Sequence, residues 1–234
     1  MGLKCFGSNC KRYKWGQGLA TLNQLVDLVA RVSGLERERV YTYGRFIRES
    51  GLIATSGRGT SAAQMTRRDA ANLLIGINGS ATAKGAPDRI ELYRGMTDLS
   101  TGTTEFGPEL ESLLSLASSN GLGPYAMSLF GRGAQGFLDE AVAKQAVRTA
   151  PLSLKIEFGM PFPSASLRIN QPSIPEPEPG WTKPVFSVEF MVDEHRQGPL
   201  SHDDLTDREV RITLTERTIL AVGALLQNTP KAKS

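Results

Sequence analysis

Cysteine and histidine are scarce in this 234-residue sequence, which contains two of each. Cys5 and Cys10 lie near the N-terminus, whereas His195 and His202 come much later. Two thiols cannot by themselves complete a tetrahedral zinc site. His202 is followed by two aspartates, but this polar segment lies between strand patterns and has no second cluster with ligand spacing. The sequence therefore predicts no metal site and two reduced thiols without a structural role.

Long apolar runs and catalytic signatures are also missing. No run approaches the length of a membrane span, and the first residues lack a signal-like apolar region. We therefore expect a protein of the bacterial cytoplasm or nucleoid, without a membrane partner. A G-x-G spacing in residues 129–136 lacks the Lys-Ser/Thr of a phosphate-binding loop, and no nucleophile elbow is present. The sequence thus predicts neither an enzyme nor a cofactor.

What the sequence does contain is an ordered series of helical patterns in residues 22–77. The first pattern ends at Ser33-Gly34, and its apolar residues share one face: Leu22, Leu25, Val26, Val29 and Val32. The second spans residues 36–50 and places an apolar face of Val40, Tyr43, Phe46 and Ile47 toward the core. Its opposite side carries a stripe within an arc of about 80°, formed by Arg37, Tyr41, Arg45 and Arg48.

A glycine-containing turn and a third helix follow. Ser56 and Arg58 belong to a hairpin-like turn in which Gly57 and Gly59 permit positive φ angles. Thr66 is placed to cap the next helix, with Asp69 answering three residues later. The apolar face expected for this helix consists of Ala70, Leu73, Leu74 and Ile77. This order of helix, turn, helix, wing and helix predicts a winged helix-turn-helix.

Three segments resemble the winged-helix domain of MerR-type regulators: residues 22–25, residues 40–53 and residues 65–70. The resemblance covers roughly a quarter of the chain, and it implies a recognition helix followed by a wing. The glycine-arginine-glycine turn at residues 57–59, followed by the Met-Thr-x-x-Asp-Ala helix start at residues 65–70, is similar to N-terminal DNA-binding regions of phage and prophage proteins of alphaproteobacteria. MerR regulators continue into one long helix for a coiled coil, but no sustained heptad pattern follows Ile77. The effector-binding cysteines of the metal-sensing members have no counterpart either.

The distribution of charge gives independent support for a nucleic-acid partner. The net charge of the whole chain is +3, but residues 1–80 contain twelve Lys and Arg against five Asp and Glu. Phosphate neutralisation provides most of the non-specific affinity for DNA, although a solvated basic surface is the alternative. The residues expected to contact double-stranded DNA are Lys11, Arg12, Lys14, Arg37, Tyr41, Thr42, Arg45, Arg48, Ser56, Arg58, Arg67 and Arg68.

The pattern changes to strand-like alternation after Pro151. Strands are predicted around residues 152–158, 167–169, 185–192 and 208–214, followed by a final helix opened by Thr215 and Glu216. Helices are also expected over residues 110–120 and 137–149, and a proline-rich loop over 172–184. The predicted fold class is α+β, with an antiparallel sheet in the C-terminal part.

These patterns divide the chain into four parts. We expect a basic arm at 1–18, a winged helix-turn-helix at 19–80, a linker at 81–105 and an α+β oligomerisation or partner-binding domain at 106–234. The leading interpretation is a sequence-specific regulator from a bacterium, phage or mobile element that acts as a homo-oligomer. The alternatives are a DNA-binding adaptor similar to a phage small terminase, and a protein-interaction module with a degenerate winged helix.

Overall fold

A computed structural model describes residues 20–55, 63–119, 153–172, 182–192 and 209–227. The helices in these ranges are α1 (Leu22–Ser33), α2 (Arg37–Glu49), α3 (Arg67–Gly79), α4 (Ala86–Arg94), α5 (Phe106–Ser119) and α6 (Glu216–Leu226). The strands are β1 (Thr97–Asp98), β2 (Ser153–Met160), β3 (Ser164–Pro172), β4 (Thr182–Met191) and β5 (Val210–Thr215).

Helices α1 and α2 are joined by a turn of three residues. Thr21 caps α1 through a reciprocal pair of hydrogen bonds with Gln24, which satisfies backbone donors that a helix start leaves unpaired. At the other end, Gly34 adopts a left-handed conformation with φ of 68°. A residue with a Cβ would be strained there, so glycine fixes the point at which the chain leaves α1. The predicted end of α1 is confirmed.

Helix α3 begins where its capping pattern predicts. The Thr66 side chain accepts a hydrogen bond from the Asp69 backbone, and the Asp69 carboxylate accepts one from the Thr66 backbone. The helix differs from expectation in its surroundings, because every residue from Asp69 to Gly79 is buried. Sequence periodicity indicated one apolar face. The other sides are covered by α2, α4, α5 and β2, which all contact this helix.

The range 81–105, predicted as a linker, contains α4 and β1. Ile90 and Tyr93 of α4 are fully buried, and β1 pairs with β4 through Thr97 and Asp98. The apolar periodicity of residues 89–93 fits either a short helix or a strand, and the structure shows a helix there. The division of the chain into one domain at 19–80 and another at 106–234 stays a prediction.

The five strands form one antiparallel sheet in the order β1-β4-β3-β2-β5. Its inner face is apolar, and Ile156 pairs with Leu167 on one side and Leu214 on the other. The outer face carries charged and hydroxyl side chains. There Arg168 of β3 forms ion pairs with Glu157 and Glu189 on the two neighbouring strands.

The helices cover the inner face of the sheet. The ring of Phe106 in α5 lies 5.6 Å from that of Phe158 in β2 and 5.2 Å from that of Phe190 in β4. Helix α6 packs against α5 and α1, so residues from both ends of the described chain share one apolar core. The predicted α+β class with its C-terminal antiparallel sheet is confirmed, whereas the winged helix-turn-helix stays a prediction.

The C-terminal strands and the final helix appear where alternation predicted them. The predicted loop 172–184 is shorter than expected, because β3 extends to Pro172 and β4 begins at Thr182, and these two residues are paired. Residues 173–181 and the predicted helix 137–149 lie outside the described ranges.

Candidate nucleic-acid interface

Helix α2 is held in place by its apolar side. Val40 and Ile47 are fully buried, and Tyr43 is buried with its hydroxyl donating to the carbonyl oxygen of Ser80 at 3.0 Å. Gly44 faces α1, where a Cβ atom would lie 3.5 Å from a methyl carbon of Leu22. The missing side chain lets the two helices approach closely. Phe46, which was expected on this apolar face, is only half-buried.

The opposite side of α2 is basic and open to solvent. The helix contains four arginines against two glutamates. Arg37, Arg39 and Arg45 are exposed, whereas Arg48 is half-buried. The sequence predicted three of these arginines as a stripe and did not include Arg39. A guanidinium group has several N–H donors in a fixed plane, which suits phosphate oxygens and the edge of guanine.

Arg37 is engaged with two carboxylates at the start of α2. Its Nε donates to Asp27 of α1 at 2.6 Å, and its Nη1 donates to Glu38 at 3.1 Å. The hydrogen bond to Asp27 raises the pKa of the guanidinium, and the charge of the same carboxylate acts in the same direction. The guanidinium also lies 5.9 Å from the centre of the Tyr41 ring. A phosphate would therefore have to compete with these carboxylates for Arg37.

Arg45 has weaker partners. Its Nε lies 3.7 Å from a carboxylate oxygen of Glu49, one turn further along the helix. Its guanidinium carbon lies 5.1 Å from the centre of the Phe46 ring. Exposed ion pairs between helix turns contribute little stability and are screened by salt. Arg45 is therefore exposed with only a loose carboxylate contact, and Arg39 is exposed with no ion pair within the described residues.

Two other predicted contacts are less accessible than expected. Tyr41 is half-buried and packs against the apolar core, although its helical position had placed it on the outer stripe. The Thr42 hydroxyl donates to the carbonyl oxygen of Glu38 at 2.8 Å, which leaves it only as an acceptor. Both side chains lie beside the arginines rather than projecting with them.

The remaining predicted contacts fall into two groups. Arg67 and Arg68 are exposed in the first turn of α3. The others lie outside the described residues, namely Lys11, Arg12, Lys14, Ser56 and Arg58. In the described part of residues 1–80 there are seven arginines and five carboxylates, so most of the positive excess belongs to residues 1–19 and 56–62.

The structure also contains polar networks that no sequence pattern indicates. Arg94 of α4 donates to Asn72 of α3 at 3.0 Å and forms an ion pair with Glu111 of α5. These residues are 17 or more positions apart, so no local pattern connects them. Asn72 in turn donates to the carbonyl oxygen of Leu52 at 2.6 Å. The network joins the segment after α2 to three helices of the core.

Asp98 organises the loop between β1 and α5. Its carboxylate accepts hydrogen bonds from the backbone or hydroxyl groups of four residues, which are Ser100, Thr101, Thr103 and Thr104. The hydroxyl of Thr101 makes the largest contribution to lowering the pKa of this carboxyl group far below its ordinary value. The filled acceptor positions make Asp98 a structural residue.

Within the described residues, no group of His, Cys, Asp and Glu side chains is arranged to hold a metal ion. No helix in these ranges has both the length and the apolar content to cross a membrane.

Comparison with known proteins adds no relative. The sequence matches no protein-family model and no curated protein, and the fold matches no solved structure. Function is therefore inferred from the surface of α2 and the charges around it.

Proposed function

We propose that this chain is a sequence-specific DNA-binding protein in which α2 enters the major groove. The carrying observation is the exposed basic side of α2, whose opposite side is anchored in the core by Val40, Tyr43 and Ile47. A helix fits the width of the major groove, and arginine side chains on it can reach both base edges and phosphates. The short turn at Gly34 between α1 and α2 suits a helix-turn-helix.

The arginines would contact different parts of the DNA, according to the ion pairs that each forms within the protein. Arg45 has only a loose carboxylate contact at 3.7 Å, and helical spacing places it on the same side of α2 as Arg37 and Arg48, so it is our candidate to pair with guanine. Arg37 is held by Asp27, so it is better suited to a phosphate that displaces this carboxylate. Arg67 and Arg68 at the start of α3, together with the basic arm and the wing, would add phosphate contacts.

The biological role that fits such a protein is a transcriptional regulator in a bacterial or phage context, acting in the cytoplasm as a homo-oligomer. One winged helix supplies few phosphate contacts, so paired recognition helices on a two-fold site would raise both affinity and specificity. The C-terminal sheet and its helices would provide the self-association. Measuring the solution mass together with DNA selected from random sequence tests this role. A dimer with a palindromic site supports it, whereas a large ring with weak sequence preference contradicts it.

Binding titrations of the full chain test the proposed surface. If about four to six phosphates are neutralised, the slope of log affinity against log salt is about −4 to −5. Arg45→Ala is expected to weaken binding to the selected site. Arg217→Ala removes an exposed arginine of α6 and serves as the matched control, which should bind like the parent. A flat salt response, or equal losses for Arg45→Ala and Arg217→Ala, would contradict the proposal.

A further inference from the structure

A cavity of about 500 Å³ lies where the helices meet one end of the sheet. One wall is formed by the segment between α3 and α4, including Ala81, and by the first turns of α4. The opposite wall is formed by the end of β2, the residue after it and the start of β5, which contribute Met160, Pro161 and Val210. The volume falls within the range of about 300–1,000 Å³ found for small-molecule sites.

The hydroxyl groups at the cavity are already engaged. The Ser80 hydroxyl donates to the carbonyl oxygen of Thr82 at 2.8 Å, and the Thr82 hydroxyl accepts from the backbone of Gly85 at 3.2 Å. The other walls are apolar. A neutral polar ligand would therefore find few groups with which to form hydrogen bonds.

Arg89 is the exception. Its side chain is half-buried at the cavity, and its one hydrogen bond, to the carbonyl oxygen of Pro161, is long at 3.4 Å. Within the described residues it has no carboxylate partner, in contrast to Arg37, Arg94, Arg168 and Arg211, which each form an ion pair. A guanidinium has five N–H donors, so most of its capacity remains for another acceptor.

We infer that this cavity binds a small molecule that has an apolar body and a single anionic head group, with Arg89 pairing with the head. The apolar walls would bury the body, and the guanidinium of Arg89 selects a negative charge over a neutral or positive one. Carboxylate, sulfate and phosphate heads share this chemistry. The cavity is distinct from the basic side of α2, and the inference does not rest on the proposed DNA binding.

Titration calorimetry of the full chain with decanoate tests the inference, with decanol and decyltrimethylammonium as probes of equal chain length. Decanoate is expected to bind at one saturable site, and at least tenfold more tightly than either of the other two. Arg89→Leu should weaken decanoate binding by about tenfold or more, because a charge-assisted hydrogen bond is lost. Arg89→Lys, which keeps the charge, should retain part of the affinity.

Arg217→Leu provides the matched control. It removes the same charge from the first turn of α6, beyond the far end of β5 and about 17 Å along that strand from Val210, and should leave decanoate binding unchanged. Ala81→Trp tests the cavity without altering its charge, and it should reduce binding by filling the space. Circular dichroism first confirms that each variant is folded. Absence of saturable decanoate binding, equal binding of decanol, or parental binding by a folded Arg89→Leu or Ala81→Trp variant would overturn the inference.

Discussion

Helices α2 and α3 have the same length of 13 residues and lie in contact, yet their surroundings are opposite. In α2, four residues are buried and the other side is exposed and basic. In α3, the eleven residues after the first two are all buried. The two helices therefore have different roles. Helix α3 is a central support of the core, and α2 uses part of that support to present a surface that no described element covers.

Close packing makes the two helices one unit. A Cβ on Gly76 of α3 would lie only 2.7 Å from a methyl carbon of Ile47 in α2, so the missing side chain creates the place where α2 rests. Asn72 of α3 also holds the carbonyl oxygen of Leu52, just beyond the end of α2. Gly51, with φ of 81°, lets the chain turn sharply back toward α3.

Stability measurements test the difference between α2 and α3 most directly. Leu74→Ala in α3 should lower the free energy of unfolding by about 2–5 kcal/mol, because it leaves a cavity in a fully buried region. Arg45→Ala in α2 should change it by less than about 0.5 kcal/mol, because exposed sites tolerate substitution. Denaturant unfolding of both variants measures the difference. Similar losses would show that α2 is as structural as α3.

The polar network around Asn72 gives a smaller but still clear effect. Asn72→Leu should destabilise the fold by about 1–3 kcal/mol, because the carbonyl oxygen of Leu52 and the guanidinium of Arg94 lose a partner. Asn23→Leu on the exposed side of α1 is the matched control and should have little effect. Thermal unfolding compares the two. If both variants melt like the parent, the network does not stabilise the joint between α2 and α3.

Local patterns predicted much of the fold because they have local causes. The cap at Thr66, the end of α1 at Gly34 and the alternation in β2 to β5 depend on residues a few positions apart. The burial of α3 on all sides could not be predicted, since Asn72, Gly76 and Gly79 look like weak core residues until their distant partners are known. Tyr93, whose ring would touch a Cβ on Gly79, belongs to a segment read as a linker.

The candidate DNA surface was predictable to a similar degree. Helical spacing predicts the exposure of Arg37 and Arg45 in α2, but not the partial burial of Tyr41 and Arg48. The pairing of Arg37 with Asp27 does not, because it depends on how the turn at Gly34 folds α1 against α2. The cavity at Arg89 could not be predicted from the sequence either, because its walls come from residues around 80, 160 and 210, which are far apart along the chain.

Measurements of DNA binding test the role of the exposed side of α2. Arg45→Ala should reduce discrimination between a selected site and scrambled DNA by about 1–3 kcal/mol, the worth of a bidentate contact to guanine. Arg58, which is outside the described residues, is predicted from sequence to lie in the wing, so Arg58→Ala should weaken both DNAs more evenly. Fluorescence anisotropy on both DNAs separates these effects. Parental discrimination by Arg45→Ala would remove α2 from the recognition surface.

The smallest expected effect concerns the competition for Arg37. Asp27→Asn removes the carboxylate charge that faces this guanidinium, so DNA affinity should rise by a few-fold at low salt and less at high salt. Glu91→Gln changes an exposed carboxylate of α4 and should have less influence. The same anisotropy assay at two salt concentrations measures both variants. A loss of affinity for Asp27→Asn would indicate that the carboxylate orients Arg37 rather than competing for it.

The hydrogen bond from Tyr43 to Ser80 connects the two surfaces on which the proposals rest. Tyr43 belongs to α2, and Ser80 lies at the rim of the Arg89 cavity. If a ligand bound in the cavity displaces Ser80, it breaks this hydrogen bond and thereby changes the free energy of DNA binding. Thermodynamic linkage then requires the coupling to be reciprocal, so DNA would change the affinity for the occupant by the same factor. Tyr43→Phe, which keeps the ring and removes the hydroxyl, would uncouple the two equilibria.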